Sequence, residues 1–139
     1  MKLATEVTEH TEVVRKYKDY PESDLTEKII QASIEVQKNL GHGFLESIYE
    51  NALVVELEKM GLKYEKQKLV EIFYKNVKVG EHRVDLIVEN RVITELKAIS
   101  DFEQIHRAQI ISYLTATGLR IGLLINFGKT KIDVDRIII

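Results

Sequence analysis

Two hydrophobic periods divide the chain. From Asp24 onward, Ile29, Ile30, Ser33, Val36, Gln37 and Leu40 recur at helical spacing, and Asp24-Leu25-Thr26-Glu27 ahead of them has the form of a capping box. Gly41 is the stop signal, and Gly41-His42-Gly43 reads as a break. A second helix is predicted over about 45–60, with Ile48, Tyr49, Ala52, Leu53, Val55 and Leu57 as its apolar side. Glu46 falls in its first turn, where the helix dipole favours negative charge. The period then shortens to two. Leu62 to Tyr64 is a short strand. Lys68 to Tyr74 alternates, with Val70, Ile72 and Tyr74 on one side and Leu69, Glu71 and Phe73 on the other; Lys75-Asn76 is a turn. Ser100 to Glu103 repeats the capping-box pattern and predicts a helix from Asp101 to about Thr117, closed by Gly118. Leu119 to Phe127 is almost wholly apolar, as expected of a strand buried on both faces. The helix before it makes a parallel crossover, right-handed by rule. Ile132 to Ile138 reads as a last edge strand.

Between these segments lies Arg83 to Lys97, R-V-D-L-I-V-E-N-R-V-I-T-E-L-K, which predicts a β-hairpin. A three-residue loop of Glu89, Asn90 and Arg91 sets Val88 opposite Val92, and Asn90 tolerates the left-handed backbone such a turn needs. Counting back, Asp85 faces Glu95 and Arg83 faces Lys97. One face then carries Asp85, Glu95 and Lys97, and the other Val84, Leu86, Val88, Val92, Thr94 and Leu96. A two-residue loop would send Glu95 to the face opposite Asp85. Two neighbouring carboxylates repel unless something positive sits between them, and a hard divalent cation takes oxygen ligands. A lysine on the same face can touch a water or a phosphate oxygen. The arrangement suits hydrolysis of a phosphodiester; it equally suits a solvated strand face on which Arg83 and Lys97 neutralise Asp85 and Glu95.

The chain has 139 residues, enough for one domain with a core, and 45% hydrophobic with 30% charged residues is a globular mix. Residues 1–22 are polar and hold the single proline, Pro21; a short helix over 5–18 is expected there. Residues 1–23 are read as an extension outside the core, either a tail or a segment that pairs with a second copy in a homo-oligomer, and 24–139 as the domain. With no cysteine, a thiol nucleophile, a disulfide scaffold and a thiolate zinc site are excluded, and a cytoplasmic location is expected. No apolar run reaches membrane-spanning length, so no membrane partner is expected. A formal net charge of −2 leaves room only for a local basic patch on any nucleic-acid surface.

On the predicted helix after the hairpin, His106, Gln109 and Tyr113 are three and four apart, on one face beside an apolar face of Ile105, Ala108, Ile111 and Leu114. Gln109 can hydrogen-bond a phosphate or base, and Tyr113 can contact a phosphate or stack on a base; as ordinary residues they are a solvated glutamine and a rim aromatic.

The order Asp85, then Glu95-Leu96-Lys97, then Gln109 with Tyr113, resembles the PD-(D/E)XK nuclease superfamily, particularly its RecB-like branch with a Q-x-x-x-Y helix. Gly43-Phe44-Leu45-Glu46-Ser47-Ile48-Tyr49 matches the pattern that names the GxxExxY family within it. The chain departs from that family at Gln37, where a histidine is usual, and at His42, where a proline is usual. The resemblance implies an α/β (α+β) fold with a restriction-endonuclease-like core, a mixed central sheet flanked by helices. It implies Asp85 and Glu95 as metal ligands for Mg²⁺ or Mn²⁺, with the Leu96 carbonyl and Glu46 added, and Lys97 as the residue that activates water. The expected function is metal-dependent cleavage of nucleic acid, DNA ahead of RNA, with phosphate contacts from Lys97, Gln109, Tyr113, Arg83 and Arg107. The competing expectation is a non-catalytic nucleic-acid-binding or assembly module on the same fold.

Overall fold

The structure, a computed structural model, describes residues 21–139, so the helix expected over 5–18 lies outside the described residues. Helix α1 spans Ser23–Leu40 and α2 Glu46–Lys59. Strands β1 (Tyr64–Tyr74), β2 (Val77–Val88) and β3 (Val92–Lys97) follow, then α3 (Gln104–Thr117), β4 (Ile121–Asn126) and β5 (Asp133–Ile138). The strands form one sheet in the order β1-β2-β3-β4-β5, in which only β3 and β4 are parallel. The expected mixed sheet, crossover helix and terminal edge strand are all present.

Two cap assignments differ from expectation. Helix α1 begins after Glu22, which lies at φ 61 and makes no side-chain cap, so Asp24 is an acidic first-turn residue and not a cap. Helix α3 begins three residues later than the S-x-x-E pattern suggested. Its box is made by Glu103 and His106: the Glu103 side chain accepts the His106 N–H, and His106 Nδ1 accepts the Glu103 N–H at 2.8 Å. Histidine at N3 can substitute for glutamate because its unprotonated nitrogen is an acceptor.

Helices α1 and α2 cover one face of the sheet, packing Ile29, Leu53 and Leu57 with Leu86, Val88, Leu96 and Phe127. Helix α3 covers the other, where Ile110 and Leu114 meet Val84, Ile87, Ile93 and Leu124. Gly122 permits that approach, since a Cβ there would lie 2.5 Å from Ile110 Cγ2. The turn between the first two helices is anchored by Tyr49, whose hydroxyl donates to the Gly41 carbonyl at 2.6 Å and accepts the Phe44 N–H at 3.2 Å. Its ring stacks on Phe127 at 4.6 Å, a contact worth about 0.5–1.5 kcal/mol beyond area burial. Gln37 is buried and donates to the Phe127 and Lys129 carbonyls at 3.2 and 2.6 Å, so it ties α1 to the end of β4.

The hairpin register is as counted: Val88 pairs Val92, Ile87 pairs Ile93 and Leu86 pairs Thr94. Beyond that the expectation fails in two ways. The β2–β3 ladder ends at Leu86–Thr94, so Arg83 and Lys97 are not ladder partners. Val84 packs against α3, whereas Leu86, two residues on, packs against α1 and α2. Alternation breaks at Asp85, opposite Gln67, a β1 residue at φ 53. A left-handed residue turns the strand out of its pleat, and the side chains beyond it change face.

Candidate active site

The two hairpin carboxylates occupy the place where the β2–β3 ladder stops. The Asp85 N–H donates to Glu95 Oε1 at 2.8 Å, and the Leu96 N–H donates to Asp85 Oδ2 at 2.9 Å. Each carboxylate thus satisfies a backbone donor that the parting strands leave free. Glu95 is 4% exposed. Burial first, and the adjacent Asp85 charge second, push its carboxyl up to about 8, while the Asp85 N–H and the Lys97 ammonium pull the other way. Lys97 is half-buried at the end of β3. Its backbone is fixed by the Phe127 N–H, which donates to the Lys97 carbonyl at 2.8 Å. Just beyond, the fully buried Asn126 binds Ile99 in both directions, accepting its N–H at 3.0 Å and donating to its carbonyl at 2.8 Å.

A third carboxylate comes from α2. Glu46 is exposed in the first turn. One turn later Glu50 is buried, and the Gln67 amide donates to both of its oxygens at 2.9 and 3.1 Å. The same amide nitrogen lies 3.3 Å from Asp85 Oδ1. Burial holds the Glu50 carboxyl above its ordinary range; the Gln67 hydrogen bond opposes this, and the Asp85 charge adds to it. Glu50 and Gln67 were not anticipated. A signal for Glu50 exists: it stands in phase with Leu53 and Leu57, a charge where the helical pattern calls for an apolar residue.

A family model described as the PD-(D/E)XK nuclease superfamily matches residues 23–137. The chain belongs to the PD-(D/E)XK nuclease superfamily. The crystal structure of SSO0001 shares the fold of this superfamily member, with a TM-score of 0.54 at 21% identity. The match covers 90% of this chain and 60% of that one, so this chain spans about three-fifths of the longer protein. No curated protein matches the sequence.

Nucleases of this superfamily generally use divalent metals, and the side chains gathered here are of the chemical type such ions take. Asp85, Glu95 and Glu50 are oxygen donors, as hard cations require. In an extended strand the N–H and C=O of one residue point the same way. The Leu96 carbonyl therefore faces the Asp85 side along with its N–H. Among the described residues, no three His, Cys, Asp or Glu side chains are grouped closely enough to hold a metal ion.

Helix α3 brings Tyr113 to this superfamily site, but as a buried residue. It is 3% exposed, its ring lies 5.5 Å from that of His82, and its hydroxyl is pushed up to about 12 by burial and then by the Glu95 and Asp85 charges. The ordinary reading of Tyr113 as a rim aromatic is corrected, since the ring belongs to the core beneath the carboxylates, where it is not open to stack on a base. Gln109, one turn earlier, is half-buried. The expected apolar face shifts too, since Ile110, Tyr113 and Leu114 face the sheet while Ile105 and Ile111 are exposed. Arg83 donates to the Gln67 carbonyl at 3.3 Å, at the rim of the cluster. Arg107 pairs with Asp135 on β5, at the far edge of the sheet from β1.

Proposed function

We propose that this protein is a Mg²⁺- or Mn²⁺-dependent nuclease that hydrolyses phosphodiester bonds of DNA, and that it falls in the GxxExxY branch of the superfamily. The observation that carries the reading is the Asp85–Glu95 pair, two carboxylates locked into the parted end of a hairpin with Lys97 beside them. Burial and the neighbouring Asp85 charge disfavour an ionised Glu95, and a bound cation would stabilise both carboxylates in their charged form. Asp85, Glu95 and the Leu96 carbonyl would hold that cation, with Glu50 taking the place first assigned to Glu46.

When bound, the cation supplies Lewis acidity at the phosphate and acidifies water. Lys97 places its ammonium where it orients water and offsets charge on the phosphate. The Asn126 clamp and the Phe127 hydrogen bond fix the backbone that carries it. Tyr113 supports the carboxylates from below. Substrate contacts fall to Lys97, Gln109 and Arg83; the engagement of Arg107 with Asp135 takes it out of this group. The family match begins at residue 23, at the boundary of the proposed extension, and leaves residues 1–22 outside it.

Cleavage of single- and double-stranded DNA and of RNA, with and without Mn²⁺, tests the proposal. Wild type should degrade DNA only with metal, and Asp85→Asn should not. Binding of nucleic acid without cleavage under any metal would instead leave a non-catalytic module on the same fold.

A further inference from the structure

Six non-glycine residues among those described have positive φ, and five of them lie at a helix cap or a hairpin turn. The sixth, Gln67, is inside β1, between Lys66, which pairs with Leu86, and Lys68, which pairs with Val84. Such a backbone is unfavourable for a side chain with a Cβ, and it persists only where other contacts hold it. Here those contacts include the Arg83 guanidinium on the Gln67 carbonyl and the hydrogen bonds of its side-chain amide to both oxygens of Glu50 and to Asp85. An amide NH₂ group is donor-only and carries the positive end of its dipole. It stands between two carboxylates from different layers of the fold, one on α2 and one on β2.

We propose that Gln67 is a place-holder for the cation. In the metal-free protein its amide bridges Glu50 and Asp85, and the two carboxylates close on a divalent ion only when that side chain swings out. This rests on the metal-dependent reading above and adds a regulatory feature to it. It accounts for the absence, among the described residues, of a three-carboxylate group ready to hold a metal. A site whose competent form is only fractionally populated binds its ligand more weakly by that fraction. Gln67 therefore sets the metal concentration at which the site fills.

Titration calorimetry and thermal melting with MnCl₂ on the full chain test this without any cleavage assay. Gln67→Ala removes the amide and should bind Mn²⁺ roughly ten-fold more tightly, if the bridged form is about nine-tenths populated. Gln67→Gly should behave alike and guards against misfolding, since glycine accepts the left-handed backbone freely. Gln67→Lys places a permanent ammonium between the carboxylates. It should raise the melting temperature of the metal-free protein and abolish the Mn²⁺-induced shift. If wild type binds Mn²⁺ and the Ala and Gly variants bind it equally or less tightly, the place-holder role is overturned while the metal site stands. If wild type is silent and the Gly variant binds, the proposal is supported. If none of the four proteins binds, both the metal reading and the place-holder fall.

Discussion

The backbone N–H of Asp85 donates to the side chain of Glu95 at 2.8 Å, so the residue that carries one carboxylate also holds the other. Removing either charge should therefore act on metal binding before it acts on the fold. Asp85→Asn keeps an oxygen for the Leu96 N–H but loses a charged ligand. Its metal-free form should melt at or above the wild-type temperature, because the repulsion with Glu95 is gone, and Mn²⁺ should no longer shift it. Lys97→Ala should retain the Mn²⁺ shift, since lysine is not a ligand, yet lose cleavage by roughly 10²–10⁴-fold. If the cluster were only a set of ion pairs, each variant would cost about 0.2–1 kcal/mol and Mn²⁺ would change nothing. Melting curves of the three proteins with and without Mn²⁺, beside a DNA cleavage assay, separate the two cases.

The raised Glu95 carboxyl gives the metal-free protein a pH signature. Glu95 binds its proton more tightly in the folded state, near 8, than in the unfolded chain, near 4.5. Its contribution to stability is therefore fully present below pH 4.5 and is lost as pH rises through 8, at up to about 1.4 kcal/mol per unit between those limits. Glu95→Gln removes the titration. Urea unfolding in chelator at pH 5, 6.5 and 8 should show wild type losing stability relative to Glu95→Gln as pH rises. A constant difference across that range would contradict the burial of Glu95 beside the Asp85 charge.

Glu50 and Glu46 lie one helical turn apart and are assigned opposite fates. Glu50→Gln should weaken Mn²⁺ binding by roughly ten-fold or more, whereas Glu46→Gln should leave it unchanged and cost at most about 0.3–1 kcal/mol through the helix dipole. Calorimetric titration of both variants measures the difference directly. Equal losses in the two would return Glu46 to the site.

Gln109 and Tyr113 should also separate. Tyr113→Ala opens a cavity under the carboxylates and should cost about 3–5 kcal/mol in chemical denaturation. Gln109→Ala should leave stability within about 0.5 kcal/mol and lower affinity for DNA measured by filter binding. If Tyr113→Phe keeps stability, DNA affinity and metal affinity, the ring acts as packing and its hydroxyl has no part in binding.

Asn126→Ala removes the amide that ties Ile99 to β4, leaving partly buried backbone groups unpaired. It should destabilise by about 2–4 kcal/mol and lower cleavage while leaving the Mn²⁺ affinity of the carboxylates nearly intact. Gly128→Ala should be worse, because its Cβ would come within 2.2 Å of the Ile99 carbonyl oxygen, which is backbone and cannot yield. Hydrogen exchange at the Ile99 amide reports on the clamp independently of activity.

Local physics determined a great deal from sequence alone. Helical and alternating periods named the elements, glycines 41 and 118 marked helix ends, and the count across Glu89-Asn90-Arg91 set the register that brings Asp85 beside Glu95. These features depend on residues near one another in the chain, where spacing dictates direction. The tertiary structure decided what spacing cannot reach. Glu50 meets Gln67 and Asp85 only because α2 packs over one face of the sheet while Gln67 sits in a left-handed kink of β1, and no short-range pattern marks such a kink. Tyr113 shares a helical stripe with Gln109 in sequence, yet the packing of α3 on its face of the sheet turns the tyrosine inward. Whether a polar residue on a helix borders solvent or lies beneath a buried carboxylate depends on how that helix is rotated against its sheet, and the rotation is set by the packing of Ile110 and Leu114 against Gly122 and Ile93.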